Sequence, residues 1–234
     1  MASTSLPERI GRSALDFVFP PRCAGCGGDG TFLCGPCVAS LERAVPPRCP
    51  CCWRPGVDAT CIVCQISPPP FDGLRAAYIY KGIARELVQS LKYRGMTALG
   101  APIGSLCVDA LREEGLDFEV IVPVPLHSMR KRTRGFNQAE LLARHIEGAL
   151  GVPVENRALE RRRRTPQQAR SADAEERQRN VAGAFRGRRS AVEGRAVLLI
   201  DDVTTTGATL AACAQALKEA GAGRVWAFAF ARED

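Results

Sequence analysis

Residues 197–209, VLLIDDVTTTGAT, place carboxylates, hydroxyls and glycine in an order that could do chemistry. Four apolar residues, Val197 to Ile200, read as a buried strand, and Asp201 and Asp202 stand at its end. Neighbouring carboxylates there can accept hydrogen bonds from two vicinal hydroxyls of a sugar ring. Val203, Thr204, Thr205, Thr206, Gly207, Ala208 and Thr209 then lead into an Ala- and Leu-rich helix. A Thr/Gly turn that opens a helix offers backbone N–H groups, hydroxyl donors and a positive dipole end to one phosphate. Acids for the sugar beside amides for the phosphate suit a ribose 5-phosphate. The Gly-Lys-Ser/Thr of a P-loop is missing from this turn, so nucleoside triphosphate hydrolysis is not expected.

The second group of chemically capable residues is the cysteines. Nine of 11 precede residue 65, and eight form Cys-x-x-Cys pairs: Cys23/Cys26, Cys34/Cys37, Cys49/Cys52 and Cys61/Cys64. Two such pairs complete one closed tetrahedral zinc site. Disulfides are the competing reading, but residues 1–20 have no secretory pattern, and thiols in a reducing cytosol favour metal. Sequential pairing is expected, first pair with second and third with fourth, because the intervals are short. A crossed arrangement would knit residues 23–64 into one unit. One or two structural Zn2+ ions are therefore expected, and Cys51 is a spare inside the third pair. Cys107 and Cys213 sit in helical apolar patterns and read as core.

Charge is uneven along the 234 residues. The formal net charge is +7, with 32 basic against 25 acidic residues, and only four of the basic residues are lysines. Residues 157–195 hold 12 Arg against 5 acids. A smaller cluster, Arg130, Lys131, Arg132 and Arg134, contains no acid. Such clusters suit phosphate-rich ligands, either pyrophosphate or nucleic acid. No apolar run approaches the ~20 residues that span a bilayer, so a soluble, cytoplasmic protein without membrane insertion is expected.

These residues need elements to position them. A short helix is expected near the start, from Leu6 to Phe17. Strands are expected at 75–80, 119–126, 197–202 and 224–232, and helices at about 82–94, 97–114, 137–150 and 210–220. Alternation of this kind implies an α/β fold with a parallel sheet. Residues 1–66 read as an N-terminal segment and double zinc-finger-like module, 67–73 (SPPPFDG) as a Pro-rich linker, and 74–234 as the α/β domain. Ligands in such sheets bind beyond the carboxyl ends of strands, so the acids after 200 and the loop after 124 should meet at one crevice. Asn137 reads as a helix N-cap or a ligand contact, Phe136 as a staple, and His145 as structural.

VLLIDDVTTTGAT resembles the phosphoribosyl pyrophosphate (PRPP) signature of type I phosphoribosyltransferases. PVPLHSMRKRTRGFNQAELLA (123–143) is similar to the signature of the ComF family, the GntX-like, competence-associated phosphoribosyltransferase-like proteins. Lys92-Tyr93, the Gln167…Arg177…Asn180…Phe185 spacing and the cysteine pairs match in order, from about residue 20 to the end.

The resemblance implies a type I phosphoribosyltransferase-like sheet with an N-terminal cysteine-rich module. It implies that Asp201 and Asp202 hold the ribose hydroxyls and that Thr204 to Thr209 hold the 5′-phosphate. Arg130, Arg132 and Arg134 follow as pyrophosphate ligands. Residues 161–181, with Arg177, take the place of a catalytic loop, and Mg2+ arrives with PRPP. The implied activity is phosphoribosyl (pentosyl) transfer to an unidentified acceptor, linked to DNA uptake in natural transformation. The alternative is a non-catalytic adaptor that binds PRPP or single-stranded DNA alongside competence proteins.

Overall fold

The computed structural model describes residues 20–126, 132–162 and 183–234. The helix expected at Leu6 to Phe17 therefore lies outside the described residues.

Four parallel strands form the central sheet, in the order β1–β6–β5–β2: β1 is Gly73–Ile79, β2 Val120–Pro123, β5 Ala196–Thr204 and β6 Arg224–Arg232. All four were expected from their apolar runs. β5 runs two residues past Asp202, because Val203 and Thr204 keep their register with Ala231 and Arg232. Leu198, Leu199, Ile200, Phe228 and Phe230 are fully buried, as expected of strands covered on both faces.

One face is covered by α3 (Gly82–Tyr93), α4 (Gly100–Glu114) and α5 (Gln138–Leu150). On α3, Ala84, Leu87, Val88 and Leu91 follow the i, i+3, i+4, i+7 spacing of one buried stripe. The segment expected as one helix from 97 begins as a 3-10 turn, Thr97–Leu99, before α4. A Cβ on Gly104 would come within 2.6 Å of the His145 side chain, so this glycine sets the close approach of α4 and α5. His145 Nε2 lies 3.0 Å from Ser105 Oγ, a packing role as expected.

The opposite face carries α7 (Ala208–Glu219) and a small antiparallel hairpin, β3 (Leu159–Arg161) with β4 (Phe185–Gly187). The hairpin was not expected. Its strands are three residues each, too short for alternation to register, and Leu159 and Phe185 bury against the core. Arg162 N–H donates to Ala184 C=O at 2.8 Å, extending the β3–β4 pairing by one residue on each strand; residues 163–182 lie outside the described residues. A four-residue helix, α6 (Arg189–Val192), leads into β5. Cys107 and Cys213 are fully buried core residues.

The cysteine-rich segment contains α1 (Gly35–Ala39) and α2 (Ile62–Ile66) and is built twice. Corresponding cysteines are 26, 26, 27 and 27 residues apart. Gly27 N–H donates to Cys23 C=O at 2.8 Å, and Trp53 N–H to Cys49 C=O at 2.8 Å. Gly27 (φ +76°) and Trp53 (φ +60°) share the same left-handed turn. A short helix follows the third cysteine of each unit. Between the units, residues 42–44 pair with the edge of β1: Ala44 N–H donates to Ala77 C=O, and Ile79 N–H to Glu42 C=O. The end of the Pro-rich segment is already engaged with the sheet: Phe71 is buried, and Asp72 N–H donates to Val225 C=O at 2.8 Å.

Candidate functional site

Asp201 and Asp202 lie near the carboxyl end of β5, where the parallel sheet opens. Neighbouring side chains leave an extended strand from opposite faces, yet these two carboxyls stay in contact. Asp201 Oδ1 accepts from the Asp202 N–H at 2.8 Å. Asp202 is 5% exposed, and its Oδ1 pairs with Lys92 Nζ at 2.8 Å. Asp202 Oδ2 is buried and, among the described residues, has no hydrogen-bond partner. That oxygen is an unused acceptor beside the Asp201 carboxyl.

The electrostatics follow from this crowding. Burial, and then the negative charge of Asp202, push the Asp201 carboxyl up to about 7, while Lys92 opposes the rise. Burial works against charge on Lys92, but Asp202 and Asp201 outweigh it and hold the ammonium above its ordinary range. Lys92 is therefore the counter-charge that lets two adjacent acids share one end of a strand. Sequence reasoning gave Lys92 a place in a pattern and no role. A signal existed: in a chain with 32 basic residues of which only four are lysines, one sits at the end of α3. Its partner is 110 residues away, which only the fold reveals.

After Thr204, the turn Thr205-Thr206-Gly207 leads into α7. Gly207 adopts φ +80°, a left-handed conformation that favours glycine, and caps the helix. Thr206 Oγ1 accepts from the Ala208 N–H at 3.3 Å. Leu74 Cδ2 and Phe71 Cζ lie 3.7 and 3.9 Å from where a Cβ on Gly207 would stand, so the turn is supported from below. The first turn of a helix leaves N–H groups without intrahelical partners, and these point along the axis toward any anion placed there.

The loop after β2 closes onto α5 through Asn137. Its Nδ2 donates to Val124 C=O at 3.0 Å and its Oδ1 accepts from the Ala139 N–H at 3.2 Å. The N-cap reading holds, and Asn137 also pins both ends of the loop. Phe136 packs against the core beside it. Arg134 is half-buried, with its guanidinium 5.6 Å from the centre of the exposed Tyr93 ring. Arg132 is exposed. Arg130 and Arg177 lie outside the described residues. The structure thus brings together Asp201, Asp202, Lys92, Tyr93 and Arg134, with the Thr204–Thr209 turn next along β5.

The cysteines form two groups, Cys23/Cys26/Cys34/Cys37 and Cys49/Cys52/Cys61/Cys64, in each of which all four sulfurs lie within 4.8 Å of one another. The crossed arrangement is excluded. Cys26 Sγ is 3.6 Å from Cys34 Sγ, and Cys52 Sγ 3.8 Å from Cys61 Sγ. A tetrahedral ZnS4 centre with bonds of about 2.3 Å sets its sulfurs about 3.8 Å apart. The donor set fits a further test. Burial alone would raise the Cys23 thiol, but the N–H groups of Cys26, Cys34 and Gly25 bring it down to about 6. The N–H groups of Cys61, Cys52 and Cys51 do the same for Cys49. Amides aimed at sulfur stabilise thiolate, the form that binds metal. The two groups suggest structural zinc.

The fold and site define a parallel α/β protein with an acid pair and a glycine turn at the end of one strand, and two alike four-cysteine units. No protein-family model matches the chain. It is 33% identical over 207 residues to the DNA utilization protein YhgH of Salmonella typhimurium, covering 86% of this chain and 90% of that protein. It is 29% identical over 203 residues to the competence protein ComFC of Bacillus subtilis, covering 81% and 79%. A solved glutamine PRPP amidotransferase from B. subtilis is 22% identical, with 56% of this chain and 26% of that chain covered and a TM-score of 0.41. At that TM-score the likeness carries no weight. The chain belongs to the ComF family of competence and DNA utilization proteins. Among the described residues no helix is long and apolar enough to cross a membrane.

Proposed function

We propose that this protein binds PRPP at the carboxyl end of β5 and transfers its phosphoribosyl group to an acceptor, in the service of DNA uptake. One observation carries the reading: the contacting Asp201/Asp202 pair continues directly into the left-handed Gly207 turn that opens α7. In this reading the 5′-phosphate takes the N–H groups and hydroxyls of residues 204–209, and the ribose hydroxyls donate to Asp201 and Asp202. Lys92 pairs with Asp202 and opposes the rise of the Asp201 carboxyl, so it favours the accepting form of the pair.

Departure of pyrophosphate leaves an oxocarbenium-like ribose. Fixed carboxylates below the ring stabilise its positive charge, and guanidinium groups of Arg130, Arg132, Arg134 and Arg177 stabilise the negative charge leaving with pyrophosphate. Mg2+ would enter on the diphosphate and shield it while keeping most of its waters. The relatives' names, DNA utilization and competence, support the link to DNA uptake. PRPP-dependent release of pyrophosphate, measured with a panel of nucleobase, nucleoside and single-stranded DNA acceptors, tests the transfer. Release that requires one acceptor class supports it. Tight PRPP binding with no release under any acceptor would leave a PRPP-binding adaptor in its place.

A further inference from the structure

The two four-cysteine units are built alike but are attached differently. In the second unit, four consecutive carbonyls are held by donors. Pro50 C=O accepts from Arg75 Nη1 at 2.8 Å. Cys51 C=O accepts from the Leu74 N–H at 2.8 Å. Cys52 C=O accepts from Arg232 Nη1 at 2.8 Å, and Trp53 C=O from Arg48 Nη1 at 3.0 Å. The corresponding stretch 24–27 of the first unit meets no such donor set among the described residues. That unit touches the α/β domain through apolar contact instead, with Ile83 Cδ1 close to Gly25.

Two of those four donors belong to residues that support the Thr204–Thr209 turn. Leu74 is fully buried and lies under Gly207. Arg232, also buried, is the β6 residue in register with Thr204, and the next residue, Glu233, donates its N–H to Thr204 C=O at 2.9 Å. The knuckle at Cys51-Cys52 is therefore one residue removed from the turn along each of two routes.

We propose that the second four-cysteine unit is a positioning element for the Thr204–Thr209 turn, with Arg232 and Leu74 as the connecting residues. Metal held by Cys49, Cys52, Cys61 and Cys64 fixes the Cys51 and Cys52 carbonyls where these residues meet them. Metal in that cluster and a phosphate-bearing ligand at the turn then favour each other's binding, since coupling between sites is reciprocal. The first cluster does not share this coupling. The ligand half of the proposal rests on the phosphate-loop reading of the turn.

The test uses the full chain loaded with zinc. Hydrogen exchange is followed at residues 203–210 in the wild type, in Cys61→Ser and in Cys34→Ser, with zinc content measured in each. Loss of the second zinc should speed exchange at the turn at least tenfold, and loss of the first should change it less than twofold. Arg232→Gln, which keeps all eight cysteines, should retain both zincs and still speed exchange several-fold, so the idea survives a Cys61→Ser chain that fails to fold. Chelator-driven zinc release is then timed with and without PRPP and Mg2+, and one of two release phases should slow several-fold. Equal exchange in both cysteine variants, an unchanged turn in Arg232→Gln, or zinc absent from the chain would overturn the coupling. Failure of PRPP alone to bind, with the exchange pattern as expected, would sink the phosphate-loop reading and leave the mechanical connection standing.

Discussion

The first and second cysteine units present the same ligands in the same geometry, yet one sits on the α/β domain while the other is part of it. The first is 23–37, touching α3 through Ile83 and the partly buried Ala24 and Leu33. The second is 49–64, and its Trp53 joins the main core. Trp53 donates its Nε1–H to Ala44 C=O at 3.1 Å, and the Arg75 guanidinium lies 4.4 Å from its ring. Arg48, buried, binds Asp234 through both terminal nitrogens at 2.9 and 2.6 Å, tying the carboxyl-terminal end to the same unit. The two units are thus built alike, but among the described residues only the second is hydrogen-bonded through consecutive carbonyls to the sheet and to Arg48.

Position 27 of the first unit and position 53 of the second offer the largest contrast. Both use the left-handed turn, one with glycine and one with tryptophan. Trp53→Ala should cost about 3–5 kcal/mol by emptying a core site, lowering the melting temperature by roughly 10 °C. Gly27→Ala should cost about 1 kcal/mol from backbone strain alone. Thermal denaturation followed by circular dichroism compares them directly. Equal losses would remove the asymmetry between the units.

A second prediction moves to the acid pair at the end of β5. Lys92→Met removes the counter-charge of Asp202 and should weaken PRPP about tenfold at pH 7. Affinity should recover as pH rises, because the Asp201 carboxyl, no longer opposed by the Lys92 charge, then ionises. Lys92→Arg should restore most of the binding at pH 7. Calorimetric Kd values from pH 6 to 9 decide. A pH-independent loss in Lys92→Met, without rescue by Arg, would make Lys92 a packing residue only.

A smaller effect follows from Asp201. Its carboxyl is raised from 3.8 to about 7 by burial first and Asp202 second. The folded chain therefore holds a proton that the unfolded chain has lost between those values. The stability this contributes is full below about pH 4 and is lost as pH rises through 7. Asp201→Asn mimics the protonated form, so it should match the wild type near pH 4 and melt a few degrees higher at pH 8. Melting curves across that range check it. A gap that does not change with pH would contradict the assignment.

Much of this arrangement was legible in the sequence. The four strands and the main helices follow from apolar runs and helical spacing. The motif order placed the acids beside the turn, and Cys-x-x-Cys spacing with short intervals favoured the sequential pairing now observed. What stayed hidden was long-range. Lys92 meets Asp202, Arg232 meets Cys52 and Arg48 meets Asp234 across 110, 180 and 186 residues, respectively. No local pattern encodes such pairs. The duplication was present in the spacing 23→49 and 37→64, but Trp53 in place of Gly27 disguised it, since a left-handed tryptophan is not a turn signal. The β3–β4 hairpin was hidden by strands of only three residues.

The central claim is that Asp201 and Asp202 form the ribose-binding pair of a PRPP site. Calorimetric titration of PRPP with Mg2+ into the wild type and into the Asp201→Asn/Asp202→Asn double variant tests it most directly. Each lost charge-assisted hydrogen bond is worth about 1.5–3 kcal/mol, so affinity should fall at least tenfold while the variant keeps its circular dichroism spectrum and its zinc. Unchanged affinity in a folded double variant, or no PRPP binding by the wild type, would contradict the account.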